Sequence, residues 1–349
     1  MKKDILFLGI GQGGSNIAYE MQNRGFTSCY INTTIGDIKD LNINRRFIYH
    51  IPGATGCARD RIKALDYAKE YFNTIDTWLN TDFSVFENIY ISFATGGGSG
   101  SGISPALLSI LAKKYPSKNF GAIAILPSSD ESIMAKKNAV ECFEQIKKIS
   151  SQLKNIIFLD NNSIKDKKKI NTSFANDFDN FIDIPHLNNV DGNIDADEIQ
   201  KLISMSGNVV FGNIEYKSIE LNKIYPVPKS DCKGAFIING TVDTNTDADS
   251  LLEPFGKPIE LFTCTSTNSN KSVGIFGLSL PTKRVNEIIE EIKEDSQKIL
   301  QQKNSIQDDI QDFEMPDFLN EFSSSTRQEK REIDKAQDID LDEEFAEFF

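Results

Sequence analysis

The sequence predicts an α/β protein. A doubly wound domain is joined by a central helix to a smaller β-rich α/β domain, followed by a long C-terminal helix and an acidic tail. Three observations predict this. Short, nearly uninterrupted apolar runs such as Ile5-Leu6-Phe7-Leu8 read as strands buried on both faces of a parallel sheet. Segments with helical apolar spacing alternate with those runs. Each glycine-rich stretch lies where a strand ends, which is where doubly wound sheets hold ligands.

The first strand ends at Gly9-Ile10-Gly11-Gln12-Gly13-Gly14, and a helix starts with Asn16, Ile17, Ala18 and Met21. Cys29-Tyr30-Ile31-Asn32 reads as the second strand. Arg46 to Ile51 is a third, ending at Pro52-Gly53-Ala54-Thr55-Gly56. Ile62, Leu65, Ala68 and Tyr71 form one stripe of a helix from about Arg59 to Phe72. Asn88 to Phe93 is the next strand. A glycine run follows it, and Ser104 and Pro105 suit the cap and first turn of a helix carrying Leu107, Leu108, Ile110 and Leu111. Phe120 to Leu126 is a strand stopped by Pro127, and a helix spans about Ser132 to Leu153. Asn155 to Leu159 is a strand, and residues 171 to 184 form the central helix with Phe174, Phe178, Phe181 and Ile182. A polar loop from His186 to Asp195 leads to a helix over Glu198 to Met205.

From about 207 the chain turns β-rich, with runs at Val209-Phe211, Gly234-Ile238, Glu260-Cys264 and Val273-Gly277. Arg284 to Leu300 is a charged amphipathic helix. The units are therefore 1–170, 171–206, 207–282, 283–303 and a tail over 304–349. That tail is acidic and polar and reads as disordered, with short apolar patches able to fold on a partner.

Composition excludes several functions. The chain has 349 residues and a formal net charge of −13, so its surface as a whole repels a nucleic-acid backbone. Five scattered cysteines without a CxxC pair, and only His50 and His186, speak against structural zinc and a disulfide framework. Ile5 to Ile10 is too short for a secretory signal, and no apolar stretch is long enough to span a bilayer, so a cytoplasmic protein is expected.

The informative motif is Ala94-Thr95-Gly96-Gly97-Gly98-Ser99-Gly100-Ser101-Gly102. Dense glycines let backbone N–H groups turn toward one anion, and strand, glycine loop and helix start together form a phosphate-binding geometry. A flexible linker would be flanked by polar chain instead. With the first glycine loop, two phosphate contacts on one nucleotide are implied. A nicotinamide site expects an acid after the second strand, where Asn32-Thr33-Thr34 stands. A Walker loop would need Lys-Ser/Thr after the glycines, and none is there.

These loops taken together resemble the tubulin and FtsZ superfamily. Gly96 to Gly102 is similar to that family's GGGTGTG phosphate loop, and Gly11-Gln12-Gly13-Gly14 with Asn16 to its first nucleotide loop. Asn32-Thr33 resembles the second, and Gly53-Ala54-Thr55-Gly56 the γ-phosphate loop. The resemblance covers about residues 4 to 206. It implies a GTPase domain over 1–170 that binds GTP or GDP through Gly11, Gln12, Gly13, Gly14, Asn16, Asn32, Gly53, Ala54, Thr55, Gly56, Thr95, Gly96, Gly97, Gly98, Ser99, Gly100 and Ser101. Mg²⁺ would be held largely by phosphate oxygens and waters. It further implies guanine contacts from Asn161, Asn176 and Asp177, and an approach of Glu131 to the ribose. For each of these four, an ordinary solvent-facing role stands beside that reading.

Gly192-Asn193-Ile194-Asp195-Ala196-Asp197-Glu198 resembles the family's loop that enters the nucleotide pocket of the next subunit. The resemblance implies that Asp195 and Glu198 orient the attacking water, Asp197 being a spare acid. All three also suit plain capping of a helix N-terminus. A site split this way makes a head-to-tail filament of the chain with itself.

Gln12, the serine variant of the glycine loop and Thr34 resemble the TubZ group of plasmid and phage partition tubulins rather than FtsZ. There the implied partner is a small DNA-binding adaptor of the TubR kind, so DNA is contacted only indirectly. The tail, dominated by Asp and Glu apart from Arg327 to Arg331, departs from the basic tails of that group. Asp312 to Leu319 resembles the FtsZ C-terminal peptide, and either a partner groove or packing on its own neighbours would use its Phe-Leu pair. An FtsZ-like division protein, a phage spindle tubulin and a non-hydrolysing scaffold are the competing functions.

Overall fold

The strand β1 (Ile5–Ile10) is buried at every residue, and its alternate side chains enter two different cores. Ile5 and Phe7 join one, while Leu6, Leu8 and Ile10 join the other, as the two-residue period of a strand requires. The computed structural model describes residues 1–215, 218–240, 247–267, 271–305 and 340–349.

From β1 the chain runs through α1 (Gly11–Gln22), β2 (Thr27–Asn32), β3 (Ile48–His50) and α2 (Arg61–Asp82). β4 (Asn88–Ala94), α3 (Ser99–Lys114), β5 (Asn119–Leu126), α4 (Ile133–Ile149), β6 (Asn155–Asp160) and α5 (Lys167–Asp183) follow. The second half comprises β7 (Asn189–Asp191), α6 (Ala196–Ile203), β8 (Gly207–Glu215), β9 (Ser218–Leu221), β10 (Gly234–Gly240) and α7 (Ala248–Leu252). It closes with β11 (Glu260–Ser266), β12 (Ser272–Leu278), α8 (Thr282–Ser305) and α9 (Leu341–Ala346).

Among the described residues, all twelve strands share one sheet in the order β3-β2-β1-β4-β5-β6-β8-β12-β10-β11-β7, with β9 beside β8. β1 to β6 are parallel to their neighbours. The order reverses at β1, which has β2 on one side and β4 on the other, so a crevice opens at the C-terminal ends of β1 and β4. α1 and α5 cover one face, and α2, α3, α4 and α8 the other. The central helix α5 serves both halves: Phe178 meets Phe7 edge-on at 5.3 Å, and Phe181 stacks on Phe236 at 5.5 Å. α8 is held by buried Arg284, which donates to Asp160 at 2.9 Å and to the Pro127 carbonyl at 3.2 Å. Lys136 of α4 pairs with Asp295 of α8 at 2.6 Å.

Several expectations change. α3 starts at Ser99 rather than after Ser104, so the glycines themselves form its first turn and Pro105 lies inside the helix. Proline at that position leaves the carbonyl four residues back without its N–H partner. Arg61 supplies the missing donor, its Nη2 reaching Ser101 O at 3.1 Å. α2 continues ten residues beyond Phe72, because Ile75 and Asp76 remain buried on the same face. β7 and β9 are short strands outside the sequence expectation, and the strand expected over 46–51 shortens to Ile48–His50.

The disordered tail also needs correction over its last ten residues. Asp340–Phe349 includes α9, capped by Asp340 and packed on α2 and α3 with Phe345 and Phe348 buried. Residues 312–319 and 327–331 lie outside the described residues. All five cysteines are buried and unpaired by disulfides. No helix among the described residues is long and apolar enough to cross a membrane.

Candidate functional site

A pocket of about 410 Å³ opens at the point where the strand order reverses. Its floor is made by the starts of α1 and α3, which lie on opposite faces of the sheet and converge there. Gly11 has φ +67°, and a Cβ on it would stand 3.1 Å from the Gly100 nitrogen, so the two helix starts touch through backbone. Gly14 is needed for another reason: a Cβ there would meet the Ser92 carbonyl oxygen at 1.9 Å, where α1 crosses β4.

The two helices begin differently from six of the others. α2, α4, α5, α6, α7 and α9 each have a side chain from Asp60, Ser132, Asp166, Asp195, Asp247 or Asp340 accepting a first-turn N–H. α1 and α3 have neither a side-chain cap nor an acid in the first turn. Both open at the pocket, so unspent N–H donors and the positive ends of two helix dipoles face the same space. That arrangement binds an anion carrying several oxygens.

The walls are Thr33 and Thr34 after β2, Gly56 to Arg59 before α2, and Glu131 before α4. Thr33 Oγ1 and Ser99 Oγ share a hydrogen bond of 2.6 Å, joining the second loop to the glycine loop. Glu131 is paired with Lys167 at 2.8 Å, which fixes the start of α5 at the rim. Burial raises the Asp37 carboxyl above its ordinary value. Arg59 is the single basic side chain among the described residues lining the pocket. Its backbone is left-handed, φ 67°, and its Nη1 donates to the Ser132 hydroxyl. Sequence reasoning passed over Arg59; the available signal was a cation placed directly behind the Gly53–Gly56 loop.

Of the residues expected at the site, Gly11, Gln12, Gly13, Gly56, Gly96, Gly97, Gly98, Ser99, Gly100 and Glu131 line the pocket. Gly14, Thr95, Ser101 and Asn32 are buried behind it and hold the loops in place. Thr95 donates from N and Oγ1 to the Ile125 carbonyl, Ser101 donates to the Gly97 carbonyl, and Asn32 donates to Ser15 at 3.1 Å. Asn16, Gly53, Ala54, Thr55 and Asn161 are outside the lining; Asn161 meets β5 through its backbone, N to Leu126 O at 3.1 Å.

Asn176 and Asp177 are not brought to the pocket. α5 starts at Lys167 beside Glu131 and runs away from it, so its tenth residue lies about 14 Å further along the axis. There Asn176 accepts from Arg24 at 2.6 Å, while Asp177 accepts from Tyr225 OH at 2.8 Å and from Asn222 at 3.0 Å.

Asp195 and Glu198 are also away from this pocket. α6 packs at the opposite end of the sheet, where Gln200 and Asn88, the first residue of β4, exchange hydrogen bonds of 3.1 and 3.2 Å. The pocket lies at the other end of β4, about 20 Å away over its seven residues. Asp195 is exposed and Glu198 half-buried at the surface.

Residues 4–169 match the Tubulin/FtsZ family, GTPase domain. The tubulin-like protein TubZ of Clostridium botulinum C phage is 28% identical over the whole of both chains. The tubulin-like protein CetZ of Pyrococcus furiosus is 28% identical over 47% of this chain and 46% of its own. The crystal structure of Clostridium botulinum phage c-st TubZ superposes with a TM-score of 0.76 at 26% identity, covering 85% of this chain and 100% of that one. A GTPγS-form protofilament of Bacillus thuringiensis serovar israelensis TubZ gives 0.74 at 17% identity, over 88% and 95%, a likeness of fold.

Proposed function

From a chain that belongs to the tubulin/FtsZ superfamily, we propose a GTPase whose active site is completed by the next subunit of a head-to-tail filament. The observation that carries this reading is the pair of helix starts, α1 and α3, left without side-chain caps at one pocket. Their free N–H groups take the phosphate oxygens, and Arg59 adds the one positive side chain at the mouth. GTP, when bound, supplies the phosphoryl group that water removes. Among the described residues no cluster of three metal-ligating side chains exists, so Mg²⁺ fits this pocket on phosphate oxygens and water, with Asp37 and Glu131 the acids at hand.

The attacking water needs an acid to orient it, and positioning is most of what a protein contributes to phosphoryl transfer. Asp195 and Glu198 stand at the far end of the same subunit and are exposed enough to enter a neighbour's pocket. A contact between unlike ends propagates without closing, which gives a filament. Loss of the γ-phosphate then removes contacts from the joint and weakens it. The protofilament known for the Bacillus protein supports the same assembly here.

In the biological setting we place plasmid or phage DNA segregation in the cytoplasm, with DNA held through a small adaptor of the TubR kind. The full-length similarity to a phage TubZ and the net charge of −13 support a motor that does not itself grip DNA. Light scattering with GTP, GDP and ATP, run beside phosphate release, tests the reading. Filaments that form with GTP and disassemble as phosphate appears support it. Persistent filaments without phosphate release identify a scaffold, and a chain that stays monomeric with GTP and Mg²⁺ overturns the assembly.

A further inference from the structure

Asn138, in the second turn of α4, is 4% exposed and lies behind the nucleotide pocket rather than in its lining. Its Nδ2 donates to the carbonyl oxygens of Arg59 at 2.9 Å, Gly97 at 3.2 Å and Gly96 at 3.4 Å. These partners fix the orientation of the amide, since a flipped side chain would set its oxygen against three others. One side chain of α4 therefore joins two loops that line the pocket, the glycine loop and the turn that carries Arg59.

Both loops need such a donor. A cradle whose N–H groups turn toward an anion turns carbonyls away from it, and a buried carbonyl without a partner is costly. Gly96 and Gly97 direct theirs to Asn138. The Arg59 turn is strained as well. Ala58 and Arg59 are consecutive left-handed residues, φ 46° and 67°, a conformation that persists without glycine only where neighbours over-determine it. Three contacts do so: Asp60 N donates to the Cys57 carbonyl at 2.7 Å, the Arg59 side chain donates to the Ser132 hydroxyl, and Asn138 takes the Arg59 carbonyl. The loops also leave each other no slack. A Cβ on Gly98 would stand 3.0 Å from the Arg59 nitrogen and Cα, and one on Gly96 would stand 2.9 Å from the Ala135 oxygen of α4.

We propose that Asn138 is a positioning residue that holds the strained Arg59 turn against the glycine loop, and so sets the preference for a nucleoside triphosphate over a diphosphate. This rests on the guanine-nucleotide reading above and adds to it a residue outside the pocket lining. Without Asn138 the glycine loop keeps other holds, the Ser101 hydroxyl on the Gly97 carbonyl and Thr95 on the Ile125 carbonyl, so the inner phosphates keep their cradle. The Arg59 turn instead loses a donor that offsets its strain, and the basic side chain sought by the outermost phosphate loses its fixed place.

The test titrates fluorescent GTPγS and GDP, with Mg²⁺, into the full-length chain carrying Asn138→Ala or Asn138→Leu. Leucine keeps the branched shape and alanine leaves room for a water, but neither offers the amide N–H groups. Each should weaken GTPγS binding by about tenfold or more, the worth of a buried hydrogen bond, and GDP binding by less than about threefold. In an Arg59→Gly background the same changes should alter GTPγS affinity by less than about threefold, because Asn138 acts through the Arg59 turn. A residue that merely supports α4 would move both nucleotides by one factor in either background. Unchanged affinities, equal losses for the two nucleotides, undiminished losses beside Arg59→Gly, or failure of both variants to melt cooperatively overturns the proposal and leaves the nucleotide reading standing. An unaltered chain that binds neither nucleotide overturns that reading, and this proposal with it.

Discussion

Asp195 and Glu198 close a reciprocal capping box on α6. Each carboxylate accepts the other residue's backbone N–H at 2.9 Å. Both acids thus have a structural use within their own subunit, and a catalytic role in the next one has to be separated from it. Asparagine caps a helix as well as aspartate, whereas alanine costs about 1 kcal/mol at that position. Asp195→Asn should therefore keep the melting temperature and reduce GTP turnover by roughly 10²-fold or more, as loss of an orienting acid does. Asp195→Ala should lose both. GTP binding and filament formation persist in each. An asparagine variant that turns over GTP like the parent chain would leave Asp195 with capping alone.

Arg59 combines strain with charge. Its left-handed backbone costs about 1–2 kcal/mol relative to glycine, and its side chain is the pocket's basic group. Arg59→Gly should raise the melting temperature while weakening GTP binding by roughly 10- to 100-fold, the value of one charge-assisted hydrogen bond. GDP binding should fall less, because the contact sought is at the outermost phosphate. Titration with fluorescent GTP and GDP analogues checks both numbers.

What the sequence made legible follows from how local each signal is. The glycine loops could be read because their chemistry depends on consecutive residues, and they do line one pocket. Asn176 and Asp177 could not be placed, since helical spacing gives a face but not the depth at which the helix starts. α5 begins four residues before the expected start and carries both residues down past Arg24. Arg59 offers only its place behind the Gly53–Gly56 loop, a signal too slight to mark it without the fold. In the last ten residues, the acids around Phe345 and Phe348 outweigh the spacing of the two rings, because composition does not register a complementary lysine on a distant helix.

Asp177 supplies a pH dependence. Burial pushes its carboxyl up to about 6, against the pull of the hydrogen bonds from Tyr225 and Asn222. The folded chain thus binds a proton more tightly there than the unfolded chain, whose value is near 3.9. The contribution of Asp177 to stability is full below the unfolded value and is lost as pH rises from about 4 to about 6, by at most about 3 kcal/mol. Asp177→Asn removes the ionisation and should flatten that slope, measured by urea denaturation at pH 4, 5, 6 and 7. Because the residue lies away from the pocket, GTP affinity should be unchanged. A loss of guanine selectivity in this variant would restore the base-contact reading.

Gly14 and Gly97 separate packing from ligand contact within two loops that look alike in sequence. A Cβ at Gly14 meets the Ser92 oxygen at 1.9 Å, whereas one at Gly97 finds only the Ala94 oxygen at 3.7 Å, an ordinary contact. Gly14→Ala has to push α1 off β4, and forced overpacking of this kind costs about 1–3 kcal/mol or more. Gly97→Ala should change stability by less than about 1 kcal/mol, yet it places a methyl group in the pocket where the phosphates are expected. Thermal melts with and without GTP distinguish the two. Gly14→Ala lowers the melting temperature in both conditions, and Gly97→Ala mainly removes the increment that GTP adds. A Gly97→Ala chain stabilised by GTP as fully as the parent would show that the phosphates do not approach this turn of the loop.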